Sequence, residues 1–338
     1  MSVRMSIRTS AGLAGCLLCA GGALAQSSVT VYGRVDAGLR YVSNTDAQGG
    51  STTSVDNGAL SGSRLGFTGT EDLGGGLKAM FTLESGLNPD TGTLAQGGRM
   101  FGRQAFVGLS SSFGTVTLGR QMSPIYVIEG WNEPFGFYNL TEPGFIYDNY
   151  DGGNRWDNSV KYEFVAGPVT ASVITAPGEG TNGRNLGFSV LFASGPVGIN
   201  GAWVQTKQLD GRKSHQAWTF GGSYVLGSAT LYASYLDHRS DLTPQTNKAW
   251  ALGAAYSVTP QFDVIGGYYR DGQRNADGNK QVTALMGIYH LSKRTDAYVE
   301  ADHGTLSGGY ASNVFDQYGW PTGITKRTSG VVGMRHKF

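Results

Sequence analysis

The sequence predicts an all-β fold, a transmembrane barrel of sixteen antiparallel strands, on three observations. Apolar and polar residues alternate along most segments. Tight turns take turns with long polar connections. Beyond the first 25 residues there is no run of 18 apolar residues, so a membrane helix is excluded while strands of about 9–11 residues remain available.

The alternation is clearest at the two ends of the chain. Val29, Val31, Val35, Ala37, Leu39 and Tyr41 share one face, and Thr30, Tyr32, Arg34, Asp36 and Arg40 share the other. Near the end, Ala297, Val299 and Ala301 alternate with Asp296, Glu300 and Asp302. The polar face carries charge, which a dry sandwich core would not tolerate and a water-filled lumen would.

Sixteen strands follow in order: 28–42, 62–72, 76–86, 101–111, 113–121, 157–166, 168–177, 184–194, 196–207, 214–226, 227–238, 246–258, 259–270, 280–291, 294–304 and 328–338. Every second connection is a tight turn: Gly74-Gly75, Ser112-Phe113-Gly114, Gly167-Pro168, Gly195-Pro196, Gly227-Ser228, Thr259-Pro260 and Ser292-Lys293. The others are mostly longer and polar, including 43–61, 87–100, 122–156, 271–279 and 305–327. Short turns at one end and long loops at the other are the layout of an outer-membrane barrel, and closure removes the exposed sheet edges.

Residues 1–25 read as a cleaved signal peptide. Arg4 and Arg8 form its basic start, Leu13 to Leu18 lie in its apolar stretch, and Ala23-Leu24-Ala25 is the cleavage site. Leu13-Ala14-Gly15-Cys16 also has the look of a lipoprotein box, but the apolar stretch before Cys16 is short for one. Both cysteines, Cys16 and Cys19, fall in this leader, so thiol catalysis and cysteine-ligated metal are excluded from the rest. Residues 26–338 then form one domain.

Lys and Arg total 26 against 25 Asp and Glu, a balance that argues against a nucleic-acid partner. The 53 glycines show no collagen period and fit many tight turns. Enzyme motifs are absent: there is no G-x-S-x-G, H-E-x-x-H or P-loop. Asp237-His238 and Asp302-His303 are strand neighbours that point to opposite faces, so neither reads as a dyad. Asn275-Ala276-Asp277-Gly278 lacks the acids of a calcium loop and reads as a loop tip. No cofactor or metal is expected.

Several motifs then carry a family resemblance. They are Ser28-Val29-Thr30-Val31-Tyr32-Gly33, Gly62-Ser63-Arg64-Leu65-Gly66-Phe67 and Glu71-Asp72-Leu73-Gly74-Gly75-Gly76-Leu77. Gly102-Arg103-Gln104-Ala105-Phe106-Val107-Gly108-Leu109, Phe113-Gly114-Thr115-Val116-Thr117-Leu118-Gly119-Arg120 and Asp157-Asn158-Ser159-Val160-Lys161-Tyr162 continue the series. Together with the terminal Phe338, they make the chain resemble the Gram-negative general trimeric porins, most closely their β-proteobacterial branch.

The resemblance implies a passive diffusion channel in the outer membrane, a homotrimer among outer-membrane lipid and lipopolysaccharide, passing small hydrophilic solutes and inorganic ions. It implies a third extracellular loop, here 122–154 with the tip Glu133-Pro134-Phe135-Gly136, folded into the lumen. It also implies a constriction with wall arginines matching Arg64, Arg103 and Arg155, faced by loop acids. Alternation supports Arg64 and Arg155, adds Arg34, and leaves Arg103 ambiguous because Ala105, Val107 and Leu109 share its parity. Arg120 shares parity with Val116 and Leu118 and reads as a subunit-interface residue. Of the loop acids Glu129, Glu133, Glu142, Asp148 and Asp151, Glu129 and Glu133 are the constriction candidates. Basic residues lead slightly at the wall, which predicts a modest anion preference.

Overall fold

A computed structural model describes residues 28–135, 153–178, 183–240, 246–273, 277–311 and 320–338. The expected leader, the loop acids Glu142, Asp148 and Asp151, and Asn275-Ala276 lie outside the described residues.

The first strands are β1 (Ser28–Val42), β2 (Thr52–Asp56), β3 (Arg64–Gly74), β4 (Leu77–Asn88), β5 (Thr93–Leu94) and β6 (Gln104–Ser111). Next come β7 (Gly114–Met122), β8 (Arg155–Ala166), β9 (Val169–Ala176), β10 (Asn185–Ser194), β11 (Val197–Lys207) and β12 (Lys213–Leu226). The last are β13 (Ala229–Arg239), β14 (Thr246–Thr259), β15 (Phe262–Gln273), β16 (Gly278–His290), β17 (Thr295–Gly308) and β18 (Lys326–Lys337). The short strands β2 and β5 belong to loops. The other sixteen form the wall, each antiparallel to the next in chain order. β1 closes the ring on β18, from Arg34↔Lys337 to Val42↔Ser329.

The outward positions are aliphatic and exposed: Val29, Val31, Val35 and Leu39 on β1, Val299 on β17, Val332 and Met334 on β18. That is the surface a lipid-facing band requires. The turns at one end are as tight as expected. Gly75 (φ 61°) and Gly167 (φ 56°) hold the left-handed geometry that two-residue hairpins need.

The inner face differs from expectation over part of the wall. On β1, β17 and β18 the inward residues are charged, including Asp36, Asp296, Glu300, Asp302 and Arg335. On β11 to β16 the inward positions Val204, Leu236, Tyr269, Val282, Met286 and Ile288 are apolar and buried. They join Ile125, Ile128 and Phe135 of the chain after β7 in one hydrophobic cluster. The interior there is packed with protein, so apolar side chains gain from facing it.

The segment after β7 opens with a helix, Pro124–Asn132, where the sequence predicts only a loop. Ser123 caps it, its Oγ accepting from the Tyr126 N–H at 3.4 Å, and Pro124 occupies the first turn. The helix packs on β11 and β12 most of all. Inward glycines make room for it and its continuation. A Cβ at Gly221 would lie 2.6 Å from Asn132, one at Gly253 2.5 Å from Pro134, and one at Gly267 2.8 Å from Phe135.

Candidate pore constriction

β1, β3, β4 and the bend before β6 bring together Tyr32, Arg34, Arg64, Glu84 and Arg103. Arg103 donates from Nε to Glu84 Oε1 at 2.7 Å. Arg64 Nη1 lies 3.8 Å from Glu84 Oε2, and the Tyr32 hydroxyl donates to that same oxygen at 3.1 Å. Arg64 also donates from Nε to the Gly62 carbonyl at 3.1 Å. Arg34 sits opposite Arg64 in the strand register. Two guanidiniums thus share one carboxylate, with a third cation next to them, and the cluster is net positive.

Arg103 is not bound by strand parity, because β6 begins only at Gln104. Val107 and Leu109 face outward and are exposed, while Arg103 is buried against Glu84.

Arg155 is the first residue of β8, and the alternation that places it inward does not reach it. Asn158 adopts φ 54°, and the β7–β8 register shifts between Gly119 and Gln121. Beyond this bulge Trp156 takes the inward place, buried beside Gly187 and Pro124. The Arg155 guanidinium lies 5.1 Å from the centroid of Tyr126 on the loop helix, a cation–π contact.

Glu129 and Glu133 are both buried. Glu129 lies on the packed side of the helix with Ile125, Ile128 and Asn132. Glu133 accepts from the Tyr269 hydroxyl of β15 at 3.2 Å. Counted round the wall, β11 and β12 lie across from β1 and β3. The helix and its acids therefore stand on the side opposite the arginine cluster.

Residues 9–309 match the Gram-negative porin family. The chain belongs to that family. It is 33% identical to outer membrane porin protein 32 of Delftia acidovorans, over 95% of this chain and 97% of the relative. It is 31% identical to an outer membrane porin protein of Bordetella pertussis, over 94% of this chain and 96% of the relative. Among solved structures, an anion-selective porin from Comamonas acidovorans superposes with TM-score 0.80 at 29% identity, covering 93% of this chain and all of that one. The outer membrane protein OmpT of Vibrio cholerae, in a trimer form, shares the fold at TM-score 0.70 and 16% identity.

This porin is accordingly a passive outer-membrane diffusion channel, not an enzyme. Asp302 holds Ser329 while His303 Nδ1 lies 2.8 Å from the Thr328 hydroxyl, so the adjacent pair does point to opposite faces. His238 Nε2 lies 2.9 Å from His215 Nδ1 across the β12–β13 ladder. Among the described residues no group of three or more His, Cys, Asp or Glu could hold a metal ion. Arg120 and Arg99 both bond Asp157, at 2.7 and 2.8 Å.

Two side-chain clusters of the inner wall were not singled out in the sequence. Glu84 was legible, since Thr82 and Glu84 alternate with Phe81 and Leu83. The second cluster is at the loop end of the lumen. There the Tyr310 hydroxyl donates to Asp271 Oδ2 at 2.6 Å, and Lys280 Nζ lies 5.6 Å from the Trp320 ring. Tyr310 and Trp320 belong to the connection between β17 and β18, whose contacts no local pattern foretells.

Proposed function

We propose that this porin is a general channel for small hydrophilic solutes and inorganic ions with a modest preference for anions. The constriction is built from Arg34, Arg64, Arg103 and Arg155, with Glu129 and Glu133 on the loop 122–154. The observation that carries this reading is the uneven sharing at Glu84, where one carboxylate serves both Arg64 and Arg103. The likeness to an anion-selective porin supports it. In a narrow pore with low-dielectric walls, fixed charge is screened less than on an open surface, so local sign outweighs the balanced total.

The porin works as a homotrimer, in keeping with its family and with the trimer form of the Vibrio cholerae protein. Its exposed aliphatic band meets membrane lipid, and its outer rim meets lipopolysaccharide. Residues 1–25 are removed on export.

Reversal potentials in a salt gradient test the assignment. Arg64→Gln with Arg103→Gln should move the zero-current potential toward cation selectivity, most at low salt. An unchanged potential would place these arginines outside the ion path.

A further inference from the structure

On one side β1 has two partners. β2 pairs with its upper half, from Gly38↔Asp56 to Val42↔Thr52, and β3 with its lower half, from Ser28↔Thr70 to Arg34↔Arg64. Residues 35–37 of β1 bridge the gap, whereas 57–63 join β2 to β3, so the surplus chain must leave the wall.

It leaves inward. Ala59, Leu60 and Ser61 are buried, and their partners are inward-facing residues of β1, β17 and β18. Asp36 is the anchor. Its Oδ2 accepts from Ser61 Oγ at 3.2 Å and its Oδ1 from the Tyr298 hydroxyl at 2.6 Å. That hydroxyl accepts in turn from the Ala59 N–H at 3.1 Å. Ser63 Oγ accepts from the Asp36 N–H at 2.9 Å and donates to the Asp36 carbonyl at 3.2 Å. Arg335, held on Asp296 Oδ2 by Nε and Nη2, reaches the Leu60 carbonyl from Nη1 at 3.4 Å. Gly58 passes so close to Asp36, at φ 95°, that a Cβ would lie 2.6 Å from the Asp36 side chain.

The far end of this strap meets the arginine cluster. The Gly62 carbonyl accepts a hydrogen bond from Arg64 Nε, and a Cβ on Gly62 would sit 3.5 Å from Arg103 Nη1. The strap stands at β1, β17 and β18, across the ring from the helix on β11 and β12.

We propose that residues 57–63 are a second pore-narrowing element, which faces the inserted helix and sets the position of the Arg64 guanidinium, with Asp36 as the positioning residue that holds it in the lumen. Pore width is then set from both sides, by two inserted segments with separate anchors. The proposal deepens the constriction reading. Neutralising Arg64 and modifying Gly62 are independent measurements, so either can fail alone.

The test uses Gly62→Cys in the purified channel. Cys16 and Cys19 precede the barrel, so the introduced thiol is the reactive one there, and unmodified wild-type channel treated alike is the control. Reaction with a negatively or a positively charged methanethiosulfonate should lower single-channel conductance in both cases. The negative group should shift the reversal potential toward cations and the positive group toward anions. A thiol shown by mass to be modified, with conductance and potential unmoved, overturns the strap. For the anchor, Asp36→Ala should raise conductance, and Asp36→Asn, which keeps an acceptor oxygen, should return it toward wild type. Should Asp36→Ala not assemble, Tyr298→Phe removes the hydroxyl that joins Asp36 to Ala59 and should also raise conductance. Wild-type conductance in whichever variant assembles overturns the role of Asp36.

Discussion

Glu84 offsets part of the positive charge of the arginine wall. It takes a hydrogen bond from Arg103 and another from Tyr32 and faces Arg64, so its removal leaves two guanidiniums without their shared counter-charge. Glu84→Gln should shift the reversal potential further toward anions, opposite to the effect of neutralising Arg64 and Arg103. It should also lower the denaturation midpoint by a stability of order 2 kcal/mol, the cost of a buried polar group left unmatched. Bilayer recordings and thermal unfolding of the same preparation read both effects, and a shift toward cations would show that Glu84 does not balance these arginines. The alternation of Thr82 and Glu84 with Phe81 and Leu83 carries enough to place this carboxylate on the inner face, although it was not singled out in the sequence. Arg155 shows the opposite case. Its parity with respect to Val160 and Tyr162 runs only as far as Ser159, because Asn158 at φ 54° and the register shift opposite it interrupt the alternation, yet the guanidinium still packs on Tyr126 of the loop helix. Nothing in Asp157-Asn158-Ser159 announces a bulge rather than a straight strand.

At the scale of elements, strand order and hairpin turns were legible because they rest on local chemistry. Alternation fixes a face, and glycine at a tight turn fixes a hairpin. The inward glycines Gly221, Gly253 and Gly267 were not legible, since their reason lies on another element more than a hundred residues away for Gly253 and Gly267. They form a shallow track on β12, β14 and β15 in which the chain from Asn132 to Phe135 rests. The apolar inward residues around them were not legible for the same cause: in sequence they are simply breaks in the expected polar face. A side chain placed in the track must push this segment off the wall and into the lumen, because the wall is held by two ladders and the loop by one packed face. Gly253→Leu should therefore leave a folded barrel, with unchanged β-type circular dichroism, and alter single-channel conductance. The same substitution at Gly266, on the outer side of β15, where the nearest atom to a Cβ is Leu285 Cδ1 at 3.8 Å, is the comparison and should leave conductance at the wild-type value. Equal conductance in both variants would show that the track does not set the loop.

For the whole molecule, the step that turns a sheet into a channel is closure of β1 on β18, the pairing with the largest separation in sequence. Loop-closure entropy makes such a contact slow to form and dependent on what rewards it at once. The reward is concentrated at the terminus. Gly33 and Phe338 exchange two backbone hydrogen bonds, at 3.0 Å from the Gly33 N–H and 3.1 Å to the Gly33 carbonyl. The Phe338 ring lies over Gly33, where a Cβ would come within 2.5 Å of the ring and 2.6 Å of the Arg64 carbonyl. Gly33 is thus the one place on β1 that both the last side chain and the next strand need empty. Gly33→Val should prevent the ring from seating and cost at least about 2 kcal/mol through overpacking against backbone that cannot yield. Phe338→Ala should be milder, since it keeps both backbone bonds and loses only the ring contact. On an unboiled gel the folded, heat-modifiable band should decline in the order wild type, Phe338→Ala, Gly33→Val. If Gly33→Val folds as well as wild type, closure does not depend on this seat, and the terminal aromatic serves something other than the seam it covers.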